Sequence, residues 1–536
     1  MQYRGTRMDE HPMIEACYTC RRRRIQCDRS QVPCRKCTAS GLECYDKRPI
    51  RWVRGVAIRG KMQGISFRES SGPTEAPKGM IPSAIEEFPR RLSEDHLKTG
   101  IPGADGNLTS PRNIPLALEE PIWSSLDATS QHYLDYYNQR ICKLFIVYDS
   151  AKNPFRGLIS LALADETLCK AAIALAARHK ANSDRSFDSF HEPGAVVPAQ
   201  SRSSHYDALL FKQQAMHMLA RDLQDTASCA KDTIMASIFL LIFLDLLESG
   251  SDRWNVHLEG VKRLIEMNPL LSGSAINPSQ DPGATILHLR SFITRQIYLI
   301  ETLGATFVRP KLLTHFNFLE QSEALQQETV EQSFLGCPEY LLTAIQSLST
   351  YRDAITVPEP LDSATLTEYA HNIKTVIEFI QTFDCSLWAS SLSHPDDAST
   401  GNMDNLPVLA QSYQIGALLY GQRILDTLAK EDSRRDDLVQ DLIHVIGLLR
   451  EDDALLKCIL WPIFVAGLEC QLPAQRDFLL DSLKRFWAVT SCLNVVNAAR
   501  ILQGYWQWQQ QEGGQGCFAS RWVFTIGRLG QDWLLI

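Results

Sequence analysis

From about residue 130 onward, apolar side chains return every three or four positions, the period of one helix face. In HYLDYYNQRICKLFIVY the stripe is Tyr133, Tyr137, Ile141, Leu144 and Tyr148. Similar stripes run through LISLALADETLCKAAIALAARH, ALLFKQQAMHMLARDL, DTIMASIFLLIFLDLLES and RWNVHLEGVKRLIEM. Further on come TLTEYAHNIKTVIEFIQTF, SYQIGALLYGQRILDTLA, DDLVQDLIHVIGLLRE and FLLDSLKRFWAVT. Breaks rich in proline, glycine and serine fall near 186–204, 271–284 and 393–407. No alternating strand and hairpin series competes, so the pattern predicts a mostly α fold with one large helical domain over 130–536. Its most apolar stretches, Ile234–Leu244 and Cys458–Leu468, are shorter than the ~20 residues that cross a bilayer, and no membrane partner is expected.

Ahead of that domain the periodicity disappears. Residues 62–120 hold seven prolines and six glycines, the composition of a flexible linker, which we place at 62–129. Two acidic-apolar patches, AIEEFP and LALEEPIWSSLD, suit either ordinary linker or an activation segment that docks on coactivators.

The N-terminal chemistry is of another kind. After a 16-residue tail, six cysteines are spaced C-x2-C-x6-C-x6-C-x2-C-x6-C: Cys17, Cys20, Cys27, Cys34, Cys37 and Cys44. The last three repeat the first three at a shift of 17. Nothing else in 17–44 could build a core, and a structural metal is one of the few remedies for so short a segment. Zinc takes four ligands and thiolates suit it. Six cysteines serve one metal with two to spare, or two metals if two sulfurs bridge; the repeat favours the second. A disulfide framework needs an oxidising compartment. The first 16 residues show no secretory signal, and the other nine cysteines are scattered like buried thiols.

The string CYTCRRRRIQCDRSQVPCRKCTASGLEC closely resembles the fungal Zn2Cys6 binuclear-cluster transcription regulators. The basic run after Cys20, the Cys27-Asp28 step and Pro33 carry the likeness. The resemblance implies that Cys17 and Cys34 bridge two zinc ions. Cys20 and Cys27 would complete one site, and Cys37 and Cys44 the other. It also implies that the end of the first helix enters the major groove and reads CGG-like triplets, with Arg23 and Arg24 closest to the bases. Where the family usually has lysine before the third cysteine, this chain has Gln26.

Charge agrees with that picture. Between residues 17 and 61 there are 13 Lys or Arg against three Asp or Glu, a balance of +10. The whole chain is −8, which leaves −18 for the rest. Such a basic module in an acidic chain is the electrostatic footprint of double-stranded DNA, here promoter sites. If each C-x2-C opens a short helix, Arg21 to Arg24 sweep about 300° of it, and some must point away from the metals. Arginine can bind guanine O6 and N7 together. We expect Arg21, Arg22, Arg35 and Lys36 to hold phosphates. The stretch 45–61, with Lys47, Arg48, Arg51 and Arg54, can be an arm along the DNA backbone or minor groove, a nuclear import signal or a solvated linker; its apolar Trp52, Val53, Val56 and Ile58 favour a packed arm. No sustained apolar heptad runs through 45–130, so a homodimer built on a coiled coil there is unsupported.

The helical domain in turn resembles the fungal-specific regulatory domain, through Trp254, His257, Leu258, Gly260, Trp461, Pro462, Gly467 and Trp506. That resemblance implies regulation of RNA polymerase II genes in the nucleus, through transcription machinery or coactivators, often for metabolic or secondary-metabolite gene sets. Catalytic motifs are missing: there is no phosphate loop, GxGxxG turn, HExxH or GxSxG elbow. We therefore expect no enzyme and no catalytic residue, with His257 a structural histidine and Cys458 and Cys470 in the core. The alternative is a zinc-dependent scaffold or coregulator that never touches DNA.

Overall fold

The computed structural model describes residues 16–28, 33–40, 44–45, 123, 126–190, 198–225, 232–251, 254–267, 284–313, 333–356, 362–392, 403–431, 433–511, 522–526 and 532–536. The chain forms two compact units, Met1–Thr109 and Ser110–Ile536. Among the described residues every regular element is helical, apart from one isolated antiparallel bridge between Ser251 and Trp533.

Among its described residues the first unit holds two five-residue helices, α1 (Tyr18–Arg22) and α2 (Arg35–Ala39). The second opens with α3 (Ala128–Tyr136), a π-turn over Tyr137–Ile141, and α4 (Cys142–Leu144). The sequence stripe through Tyr148 thus stops being helical at Leu144. Next come α5 (Pro154–Ala164), α6 (Glu166–Ser183), α7 (Ala199–Asp222), α8 (Asp232–Glu248), α9 (Trp254–Met267) and α10 (Ala284–Ala305). After these follow α11 (Glu339–Ile355), α12 (Ser363–Thr382), α13 (Cys385–Ser391) and α14 (Leu406–Ala429). The series ends with α15 (Asp436–Leu449), α16 (Asp453–Leu456), α17 (Leu460–Glu469), α18 (Pro473–Thr490), α19 (Leu493–Gln511) and α20 (Trp522–Thr525).

Two helices organise this unit. In α8 every side chain from Ile234 to Leu247 is buried, as expected of a helix that is apolar all round. It packs on α6, α9, α10 and α19, while α6 pairs along its length with α7. In the other half α14 plays the same part, ringed by α11, α12, α13, α15 and α17. Short acidic caps start many of the surrounding helices. Asp127, Asp165, Asp362, Asp384 and Asp452 each accept a backbone N–H of the first turn, worth about 1 kcal/mol apiece. Asp165 also separates α5 from α6 where the sequence stripe ran on, and takes the Thr233 hydroxyl at 2.8 Å.

Family-motif residues act here as packing devices. Trp461 stacks on Tyr413 and donates to Thr306 Oγ1 at 2.9 Å. Gly416 lets it approach, since a Cβ there would lie 2.5 Å from Trp461 Cζ3. Trp506 donates to the Gly467 carbonyl at 2.8 Å. Trp254 is buried and donates to the Asp532 carbonyl at 3.1 Å. His257 bonds Asp245 at 2.9 Å, the structural role expected of it, and Cys458 and Cys470 are buried. Trp123 and Leu126, read above as part of an acidic-apolar patch, pack on the helical core, and Asp127 beside them caps α3. That end of the patch is a support for the fold and not a free peptide.

Candidate metal centre and nucleic-acid interface

The repeat in sequence becomes a repeat in backbone. Cys17 and Cys34 are the N-caps of α1 and α2, both extended, at φ −60°, ψ 151° and φ −65°, ψ 149°. Each sulfur accepts the N–H of the cysteine three residues on: Cys20 N to Cys17 Sγ at 3.3 Å, Cys37 N to Cys34 Sγ at 3.4 Å. A thiolate at a helix N-terminus gains from the dipole and from orphan N–H groups. Asp28 does similar work beside α2, accepting the Arg35 N–H at 3.2 Å. Tyr45 closes the module, taking the Tyr18 N–H at 2.6 Å and donating to Thr19 Oγ1 at 3.3 Å.

The sulfurs converge into two overlapping quartets, Cys17, Cys20, Cys27, Cys34 and Cys17, Cys34, Cys37, Cys44, each with all ligand atoms within 4.8 Å. The two sulfurs common to both belong to the two N-caps. Four sulfurs about 2.3 Å from one zinc stand about 3.8 Å from one another. Here Cys17–Cys34 is 3.8 Å, Cys17–Cys37 3.7 Å and Cys20–Cys34 3.7 Å, so the donor set fits zinc. Cys20 and Cys37, in different quartets, are also 3.8 Å apart, closer than sulfurs on two different ions would stand. Burial pushes the Cys20 thiol up to about 12 and raises Cys37 and Cys44 as well. At Cys17 burial works the same way, but the Cys20 N–H and neighbouring thiols outweigh it and the value falls. Zinc supplies the positive charge that lets the whole set ionise, releasing protons as it binds.

Beside this core lie the arginines. All of Arg21, Arg22, Arg23 and Arg24 are exposed, as are Gln26, Arg35 and Lys36. They do not continue one helix as the sequence suggested. Helix α1 ends at Arg22, Arg23 is the C-cap, and Arg24 turns left-handed at φ 55°. Arg24 N–H bonds the Arg21 carbonyl and Ile25 N–H bonds the Cys20 carbonyl, both at 3.2 Å. This is a Schellman stop with arginine where glycine is usual. Its apolar contact is Ile25, packed on the cysteine cluster. Sequence reading missed the turn, although the repeat carried a signal: a shift of 17 aligns Arg24 with Gly41. Lys47, Arg48, Arg51 and Arg54, with the rest of the basic arm, lie outside the described residues.

Among the described residues the two cysteine quartets are the sole groups able to hold a metal, and no helix is long and apolar enough to cross a membrane.

Comparison with known proteins covers nearly the whole chain. Residues 15–52 match the fungal Zn(2)-Cys(6) binuclear cluster domain, and residues 132–536 the fungal specific transcription factor domain. The acriflavine sensitivity control protein acr-2 of Neurospora crassa is 23% identical over 606 residues, covering 97% of each chain. The pestheic acid cluster transcriptional regulator 3 of Pestalotiopsis fici is 20% identical, over 84% of this chain and 86% of its own. The phomenoic acid biosynthesis cluster-specific transcriptional regulator of Leptosphaeria maculans is also 20% identical, over 97% and 91%. No solved structure matches. A zinc-cluster domain that binds two zinc ions through six cysteines, joined to this helical domain, marks a DNA-binding regulator and not an enzyme, and the chain belongs to the fungal Zn(2)-Cys(6) transcription regulators.

Proposed function

We propose that the protein acts in the nucleus as a sequence-specific regulator that reads CGG-like triplets in the major groove. One zinc is held by Cys17, Cys20, Cys27 and Cys34, the other by Cys17, Cys34, Cys37 and Cys44. Arg23 and Arg24 reach guanine edges, while Arg21, Arg22, Arg35 and Lys36 clamp phosphates. Lys47, Arg48, Arg51 and Arg54 extend the contact along the backbone. The single observation behind this reading is the exposed arginine run at the stop of a helix whose first turn carries two sulfurs of the cluster. We take the end of that helix away from the capping sulfur as the part that meets the groove.

The cluster domain at 17–44, basic arm at 45–61, linker at 62–129 and regulatory domain at 130–536 are the functional division we adopt. One relative is named as a pestheic acid cluster regulator and another as a phomenoic acid biosynthesis cluster-specific regulator, which supports a secondary-metabolite gene set as the target. Contacts with the transcription machinery would come from the helical domain. Selection of bound sequences from a random duplex pool by the full chain tests the triplet. Enrichment of CGG-like sites, with a log–log salt slope of several units, is the expected result. A slope near zero, with no enriched sequence, would instead point to a zinc scaffold.

A further inference from the structure

Where α1 stops, burial begins to alternate. Arg24 is exposed, Ile25 packs on the cysteine cluster, Gln26 is exposed, Cys27 is buried and Asp28 is exposed again. That is the in-and-out pattern of an extended backbone, so Arg24, Gln26 and Asp28 share the side turned away from the cluster. The left-handed turn at Arg24 makes the change possible. Had the helix run on, residues two apart would stand about 200° from each other around its axis.

Gln26 differs in kind from its neighbours on this edge. Among the exposed side chains of 21–28 it is the one polar group without charge, beside four arginines and an aspartate. Among the described residues its amide bonds to nothing, whereas Asp28 takes the Arg35 N–H at 3.2 Å.

An amide on an edge that meets DNA has two possible partners, a phosphate or a base, and two observations select the base. Asp28 stands two residues on along the same side, and its carboxylate would repel a phosphate brought to Gln26. The 17-residue repeat sets Glu43 at the equivalent place, so neither half offers a cation there. A base edge carries no net charge, and the repulsion does not arise.

We propose that Gln26 is a specificity-determining residue that reads adenine in a base pair flanking the triplet. This rests on the DNA reading proposed above and extends it by one pair. The carboxamide oxygen accepts from the adenine N6 amine while its N–H donates to N7. Arginine and lysine only donate and cannot make that pair of bonds. Guanine offers acceptors at both atoms and would leave the amide oxygen facing O6. Spacing then places the contact. Two residues of extended chain advance about 6.6 Å, and base pairs rise about 3.4 Å, so along a groove Gln26 stands about two base steps from Arg24. That carries it past the guanines assigned to Arg23 and Arg24 and onto the flank.

The test uses the full zinc-loaded chain with the variants Gln26→Ala and Gln26→Lys, each checked for two bound zinc ions by native mass spectrometry. Selection from duplexes that hold the triplet and randomise its flanks should enrich adenine at one flanking pair. In titrations the parent should bind that duplex at least about fivefold tighter than one with guanine at the same position. Gln26→Ala should bind both as weakly as the parent binds the guanine duplex. Gln26→Lys, a donor only, should reverse the order and prefer guanine. A parent that selects the triplet but no flanking base overturns the proposal and leaves the triplet reading standing. A lysine variant that still prefers adenine overturns it too. So does Gln26→Ala if it keeps the adenine preference, or if it weakens every duplex alike, the mark of a phosphate contact. A parent that selects no sequence at all removes the triplet reading together with this one.

Discussion

Arg24 sets backbone comfort against side-chain use. At φ 55° a non-glycine residue gives up about 1 kcal/mol, and the repeat places Gly41 at the equivalent position of the second half. Two variants separate the contributions. Arg24→Gly should relax the turn and stabilise the loaded cluster by about 1 kcal/mol, whereas Arg24→Ala should keep the strain. Both should lose about 1–3 kcal/mol of discrimination at one base pair, measured by titration on matched and mismatched duplexes. An equal loss on every duplex would make Arg24 a phosphate contact. The cysteines allow a similar division. Cys34 belongs to both quartets and Cys20 to one. In native mass spectrometry Cys34→Ser should therefore empty both metal sites, while Cys20→Ser retains a singly loaded population. The cysteine array was legible in the sequence because metal ligation demands fixed spacings. The left-handed turn was not, because four arginines in a row read as uninterrupted helix.

Among helices, legibility followed the purity of the apolar face. The wholly apolar α8 was plain, but α10, α11 and α19 went unread. Each of those buries polar groups in the face that should look apolar: Arg290, Gln296 and Glu301 in α10, Ser349, Arg352 and Asp353 in α11, Asn494 and Asn497 in α19. Partners explain their burial. Arg352, for instance, donates to the neighbouring Asp353 and to the carbonyls of Ala305 and Thr306, and these last two partners are remote in sequence. The break between α5 and α6 did leave a local sign, Asp165-Glu166 at the head of a turn, which a capping search would have caught. Two glycines bring the argument to measurement. Gly416→Ala would drive a Cβ to 2.5 Å from buried Trp461 and should cost about 1–3 kcal/mol, seen as a lower melting temperature. Gly260→Ala meets nothing within 4 Å and should gain up to about 1 kcal/mol from helix propensity alone. If the Gly260 variant melts higher yet regulates poorly, that motif glycine serves a surface and not the fold.

At the scale of the molecule, the helical class was legible in the sequence, but not how the helical unit is fastened across its length. His179 on α6 is such a fastening, since it joins α3 to the end of α18. Its Nδ1 stands 2.8 Å from the Tyr136 hydroxyl, and the Thr490 backbone bonds the ring as well. Burial pushes its value down to about 4, helped by the positive charges of Arg140 and Lys180, whereas the unfolded chain titrates near 6.5. The folded state thus keeps a neutral imidazole through a range in which the unfolded state takes up a proton. Stability is full above pH 6.5 and falls as pH drops toward 4, by about 1.4 kcal/mol per unit and on the order of 3 kcal/mol in total. Denaturant unfolding of the helical unit at pH 7.5, 6, 5 and 4 measures the slope. Replacing the histidine by a residue that never charges, His179→Gln, should lower stability at neutral pH by removing a fitted hydrogen-bonded ring. It should also flatten the profile between pH 6.5 and 4. If the variant keeps the parent's slope, the acid sensitivity does not lie at the junction of α3, α6 and α18.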